Sequence, residues 1–163
     1  MGYNMYQKYV SSPIGWLLLQ TTEKALVSIS FKDNPEENCA DEPGILRRTE
    51  IQLKEYFEGK RKEFDLQLNP EGTPFQKKVW KFVSYVAFGH TVSYLDIAIQ
   101  TGSEKNTRAV GMANGKNPIP IIIPCHRIIG SDKKLTGYAG GIERKRWLLQ
   151  HELKFSENNN LLF

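Results

Sequence analysis

The chain has 163 residues, 40% of them apolar, with 22 Lys and Arg against 18 Asp and Glu for a net charge of +4. That length supplies one full core or two small lobes. No apolar run approaches the roughly 18–20 residues of a membrane span and no secretory segment opens the chain, so a soluble, intracellular protein is expected, cytoplasmic or, in a eukaryote, nuclear.

The first half reads as a small mixed lobe. Residues 5–10 (MYQKYV) alternate, 14–21 (IGWLLLQT) are apolar after Ser-Ser-Pro, and 25–31 (ALVSISF) alternate again. The short connections predict three antiparallel strands. The acidic stretch 33–44 reads as a surface loop and holds Cys39. Residues 45–59 predict a helix, with Leu46, Leu53, Tyr56 and Phe57 near helical spacing and Gly59 as its stop. Phe64, Leu66 and Leu68 alternate and predict one more strand over 63–69. Residues 1–69 form the expected first lobe, and 70–73 (PEGT) a linker.

The second half differs in charge. Residues 1–72 carry nine basic and twelve acidic side chains, whereas 73–163 carry thirteen and six. A basic half points to a polyanionic partner. Thr73, Pro74 and Gln76 match a capping box with proline at the first helical position. The helix they start has one apolar stripe, Phe75, Val79, Phe82, Val83 and Val86, and Gly89 closes the segment. Two short helices follow, 93–102 from Ser93 to Gly102 and another from Ser103 to about Asn114. Joined at a Thr-Gly turn, they form a helix-turn-helix candidate. Residues 142–153 predict a last helix with Ile142, Leu149 and Leu153 on its apolar face, Leu148 beside it and Glu152 at that face's edge. Residues 154–163 are read as a flexible tail, in which Leu161–Phe163 could dock.

Between these helices lies IIIPCHRIIG, residues 121–130, an apolar run interrupted by Cys125, His126 and Arg127. A thiolate is the nucleophilic form of cysteine, so a working thiol needs a partner for its proton. His126 is the adjacent candidate. Successive side chains of an extended strand face opposite sides, so either the chain turns near Pro124 or a water bridges the two. The imidazole in turn needs an orienting group, usually a carboxylate. The acids of this half are Asp96, Glu104, Asp132, Glu143, Glu152 and Glu157, and Glu152 is chosen for its place on the helix. A plainer reading also fits the spacing: an inert buried thiol beside a satisfied histidine.

The sequence PCHRI at 124–128, preceded by NPIPIII and followed by GYAGG, resembles the active-site segment of the O6-alkylguanine-DNA alkyltransferases. The resemblance runs in register over residues 74–152, through TPFQKKVW, FGHTVSY and TRAVGMANGKNP to TGYAGGIERKRWLLQHE, and SPIGWLLL resembles the family's N-terminal lobe. It implies an α/β (α+β) fold. A small antiparallel-sheet and helix lobe, ribonuclease H-like, would join a mainly helical, helix-turn-helix or winged-helix-like DNA-binding domain over 74–153. It implies single-use repair, in which Cys125 accepts the alkyl group of O6-alkylguanine, with O4-alkylthymine as a second substrate. His126, acting through a water and oriented by Glu152, would take the thiol proton, and Asn117 would brace the turn that carries the cysteine. Tyr94 would donate a hydrogen bond to N3 of the lesion base. Arg108 would fill the space left by the flipped nucleotide, with Ala109, Gly111, Met112 and Asn114 on the DNA face. Pro120, Ile128, Tyr138 and Ala139 would line the base pocket. The partner implied is double-stranded DNA entered by the minor groove, met by a monomer.

Base extrusion gives these roles a physical basis, because the carbon under attack lies inside a stacked duplex. No cofactor or metal is implied: with one cysteine and no histidine before residue 73, the first lobe lacks zinc ligands. Ile128 stands where valine is commoner, and Ala139 where some relatives have serine. Two other functions compete. A lesion sensor of the alkyltransferase-like kind would lack the cysteine that Cys125 supplies. A Cys-His hydrolase with true turnover would need an oxyanion hole that the sequence does not display.

Overall fold

The computed structural model describes residues 4–156. The expected tail therefore falls largely outside the described residues, Leu161–Phe163 included. The chain divides into two units, Met1–Glu71 and Gly72–Phe163, and no helix among the described residues is long and apolar enough to cross a membrane.

In the first unit β1 (Tyr6–Ser12), β2 (Gly15–Thr21) and β3 (Leu26–Lys32) form an antiparallel sheet in the order β1-β2-β3. The central strand is apolar at consecutive positions because both of its faces are covered: Leu17, Leu18 and Leu19 are all buried. Helix α1 (Gly44–Phe57) buries Ile45, Leu46, Leu53 and Tyr56, and packs on all three strands. Gly59 takes φ of 77° and ends the helical run, as expected of a glycine just past a C-terminus.

The strand expected over 63–69 does not form. One parallel bridge joins Leu68 to Leu26. Burial still alternates along the segment, which is what the pattern recorded. However, the Gln52 side chain takes the place of a neighbouring strand, donating to the Asp65 carbonyl at 3.0 Å and accepting from its N–H at 2.9 Å.

In the second unit α2 (Pro74–Val83) begins with the expected capping box: Thr73 Oγ1 accepts from Gln76 N at 3.1 Å and Gln76 Oε1 from Thr73 N at 2.9 Å. Helix α3 (Tyr94–Thr101) is capped the same way by Ser93 and Asp96. Helix α4 (Thr107–Gly115) starts later than Ser103, after a 3-10 turn over Glu104–Asn106. The Ser103 hydroxyl accepts from Lys105 N at 3.1 Å, which tightens that turn. Helices α2, α3 and α4 pack on one another, and the Trp80 indole donates to the Ala113 carbonyl at 2.8 Å. Strands β4 (Val92–Ser93) and β5 (Ile128–Ile129) pair in parallel. Helix α5 (Ile142–Phe155) runs two residues past its expected end.

The expected apolar face of α5 is wrong. Ile142 and Leu153 are exposed, and the buried stripe is Lys145, Leu148, His151 and Glu152. The helical periodicity holds, but the face turned inward carries charges as well as leucine. The buried charges have partners that sequence spacing alone does not display.

Candidate active site

The segment after α4 turns instead of extending. Asn117 Oδ1 accepts from Ile119 N at 3.0 Å, and its Nδ2 donates to the Ile123 carbonyl at 2.8 Å. One side chain thus staples both ends of a five-residue turn, whose middle residue Ile121 holds φ of 75°. A β-branched residue in that region carries backbone strain, and such strain persists only where neighbouring contacts impose it. Here Ile123 N donates to the Ile119 carbonyl at 3.0 Å, and Ile121 itself is fully buried.

The chain then enters a 3-10 turn, Cys125–Arg127. A strand would have sent Cys125 and His126 to opposite faces. The turn buries Cys125, His126 and Arg127 together. The Cys125 thiol is not hydrogen-bonded to the His126 ring.

His126 Nε2 lies 2.6 Å from Glu152 Oε2. Burial holds the imidazole below its ordinary pKa, against the pull of Glu152. A neutral ring donates Nε2–H to the carboxylate, which leaves Nδ1 as the acceptor. Nδ1 is buried and makes no protein hydrogen bond. Glu152 is 1% exposed and lies within the buried stripe of α5. Burial alone would raise its pKa, but His126 and Arg127 hold it far below the carboxylate range.

Arg127 is the residue that sequence reasoning noticed but gave no role. Its Nε donates to Glu152 Oε1 at 2.7 Å and its Nη2 to Oε2 at 3.0 Å, while Nη1 donates to the Val86 carbonyl at 2.6 Å. This bidentate fork keeps the carboxylate ionised and fixed. Gly89 N adds a weaker bond to Oε1 at 3.3 Å. Lys145 was also missed. It is fully buried, and its Nζ donates to the Ile128 carbonyl at 2.6 Å and the Thr136 carbonyl at 2.7 Å.

Burial pushes the Cys125 thiol up to about 11, with Asn117 and Lys145 pulling the other way. The resting sulfur therefore keeps its proton at neutral pH, and its use as a nucleophile requires a base at the moment of reaction. Tyr94, the first residue of α3, is half-buried and donates its hydroxyl to the Thr136 carbonyl at 2.9 Å. A Cβ at Gly137 would come within 3.1 Å of that hydroxyl.

Arg108, Ala109 and Met112 are exposed on α4, as a DNA-facing row requires. Asn114 is not on that row. It is 2% exposed, and its Nδ2 donates to the Cys125 carbonyl at 3.2 Å. Gly111 is half-buried, with its Cβ position 3.9 Å from the Tyr94 ring. Both residues belong to the inner side of α4, because a helix of nine residues can show only some of its positions to solvent. Pro120, Ile128 and Tyr138 are buried and Ala139 is exposed. Among the described residues no group of three or more His, Cys, Asp or Glu could hold a metal ion. Both cysteines are free.

Residues 74–154 match the family described as 6-O-methylguanine DNA methyltransferase, DNA binding domain, and residues 5–70 match 6-O-methylguanine DNA methyltransferase, ribonuclease-like domain. The methylated-DNA–protein-cysteine methyltransferase of Methanosarcina barkeri is 46% identical over 160 residues, covering 95% of this chain and 99% of its own. The protein of the same name from Mycobacterium tuberculosis is 43% identical over 152 residues, covering 91% and 92%. The crystal structure of the M. tuberculosis O6-methylguanine methyltransferase superposes with a TM-score of 0.85 at 41% identity, over 98% of this chain and 99% of that one. A second M. tuberculosis structure, in complex with DNA, gives 0.83 at 42% identity over 96% and 99%.

Proposed function

The chain belongs to the 6-O-methylguanine DNA methyltransferase family, and on that footing we propose that Cys125 is the atom-level acceptor in its reaction, the repair of DNA by alkyl transfer to cysteine. The observation that carries this reading is the 2.6 Å contact of His126 Nε2 with Glu152, next in chain to the cysteine, with Nδ1 making no protein hydrogen bond.

In this reading His126 Nδ1 takes the Cys125 proton through a water. The sulfur lone pair forms the S–C bond while the C–O6 bond breaks, and its electron pair stays on the guanine. Tyr94 releases the Thr136 carbonyl and donates instead to N3 of the base, stabilising the charge that develops there. Glu152 fixes the imidazole tautomer, and Asn117 holds the turn that presents the sulfur. The thioether is stable, so each chain acts once. Pro120, Ile128, Tyr138 and Ala139 surround the base.

The exposed row Arg108, Ala109 and Met112 enters the minor groove of duplex DNA, with Arg108 filling the gap left by the extruded nucleotide. Residues 74–153 do this as a monomer, in the cytoplasm if the cell has no nucleus. O6-alkylguanine is the main substrate and O4-alkylthymine a second one.

Intact-protein mass after incubation with duplex DNA carrying O6-methylguanine tests the reading. One added methyl per chain is expected, mapped to Cys125 and saturating at one equivalent. An unchanged mass, or a methyl on Cys39, would overturn it.

A further inference from the structure

Lys145 is a buried ammonium without a carboxylate. It is 0% exposed, and its two hydrogen bonds go to neutral backbone carbonyls, of Ile128 and Thr136. An ammonium carries three donors, so one N–H is left without a protein acceptor. Burying a charge in this way is unfavourable unless an anion is near. Among the described residues of the unit the other buried charges are paired: Arg127 and Glu152 hold each other. The Lys145 ammonium lies 5.8 Å from the Tyr94 ring centroid, which gives only a modest attraction.

Among the described residues the candidate anion is the Cys125 sulfur, because the ammonium is bonded to the carbonyl of Ile128, the residue that closes the Cys125–Arg127 turn. Burial draws the ammonium down to about 8, and Cys125 is the charge that opposes this. Reciprocally, Lys145 favours ionisation of the thiol against burial. Other groups facing this pair do not replace it. His126 and Arg127 share the turn of Cys125 and are engaged by Glu152 of α5. Tyr94 of α3 is bonded to Thr136, and Tyr138, with Arg144 near it, is held neutral by burial. The buried faces of α2 and α4 contribute Val79, Trp80, Val83, Val110, Ala113 and Asn114, none of them charged.

We propose that Lys145 is a positioning residue of the transfer reaction, its sealed ammonium serving as the counter-charge that the Cys125 thiolate meets when His126 removes the proton. This rests on the reading of Cys125 as the acceptor. With the thiol neutral, the cation has no anion. Ionisation creates the missing pair inside a low-dielectric site, where the attraction is strong. The charge is already in place, so no group has to move during the reaction.

The test separates charge from scaffolding. Lys145→Gln keeps an N–H donor and removes the charge, and Lys145→Arg keeps the charge at every accessible pH. Both are compared with the parent chain in a Cys39→Ser background. The rate of Cys125 modification by iodoacetamide is followed by peptide mass from pH 7 to pH 10, beside methyl transfer from O6-methylguanine duplex. A nearby opposite charge moves a pKa by about one to three units, so K145Q is expected to react about tenfold or more slowly at pH 7. The deficit should shrink toward pH 10, where the parent ammonium is itself discharged. K145R should overtake the parent at the alkaline end. A deficit of constant size across the range would be scaffolding alone and would overturn the proposal. If K145Q does not fold, K145R decides the matter, and a profile superimposing on the parent's at pH 9–10 overturns it. Failure of the acceptor reading shows separately, as a parent chain that the methylated duplex leaves unmodified while iodoacetamide still reports on Lys145.

Discussion

Arg127→Met isolates what the guanidinium does for the site. It removes three hydrogen bonds, two to Glu152 and one to the Val86 carbonyl, and leaves a carboxylate that is 1% exposed without its guanidinium partner. Breaking a buried ion pair from one side costs about 3–5 kcal/mol. At roughly 4–8 °C per kcal/mol for a unit of this size, the melting temperature should fall by about 12 °C or more. The second unit's two tryptophans, Trp80 and Trp147, report this by fluorescence. A chemical effect should accompany it. The Arg127 charge helps hold His126 neutral. Without it the carboxylate draws a proton onto the imidazole, and an imidazolium cannot accept one from the thiol. Methyl transfer should therefore fall at neutral pH and recover partly as pH rises. The double variant Arg127→Met, Glu152→Met removes both charges and should regain most of the stability without regaining transfer. A single variant melting within about 2 °C of the parent, with the same pH profile, would refute this account.

Cys125→Ser should abolish transfer and retain binding to methylated duplex, because the sulfur is buried beneath the surface that phosphates would meet; loss of both in a gel-shift assay would contradict that separation. Arg108→Ala should slow repair in duplex DNA by about tenfold or more while leaving the reaction with a free alkylguanine base nearly unchanged, and equal losses would remove the arginine from base extrusion. Acid should act through Glu152. Its folded pKa lies below the ordinary 4.5, so its contribution is complete above that value and is lost as pH falls toward the folded value. The double variant should show a shallower acid unfolding curve below about pH 4.5, and identical curves would count against the linkage.

The elements that a sequence shows best are those whose signals are local. The capping box at Thr73 and Gln76, the glycine stop at Gly59 and the three opening strands depend on neighbours within a few residues, and they formed as expected. The failures have a common cause. The segment 63–69 has a strand's alternation but meets β3 only at the Leu68–Leu26 bridge, while the Gln52 amide satisfies Asp65. Lys145, Leu148 and Glu152 share a stripe at helical spacing, but reading charges as solvent-facing turned α5 by part of a turn. Arg127 stands beside the histidine in an apolar run, and the same logic that paired Glu152 with His126 could have asked what neutralises the carboxylate. Asn114 shows the complementary limit. Its place in the sequence beside exposed Met112 says nothing of the 3.2 Å bond that draws it inward to the Cys125 carbonyl.

The Glu152 carboxylate sits 26 residues beyond His126 in the chain, and α5 supplies it last. A ribosome that has released the cysteine turn but not α5 displays a thiol with neither its oriented base nor the lysine behind it. The His126–Glu152 contact and the Lys145 ammonium therefore come into place only when α5 packs against the cysteine turn.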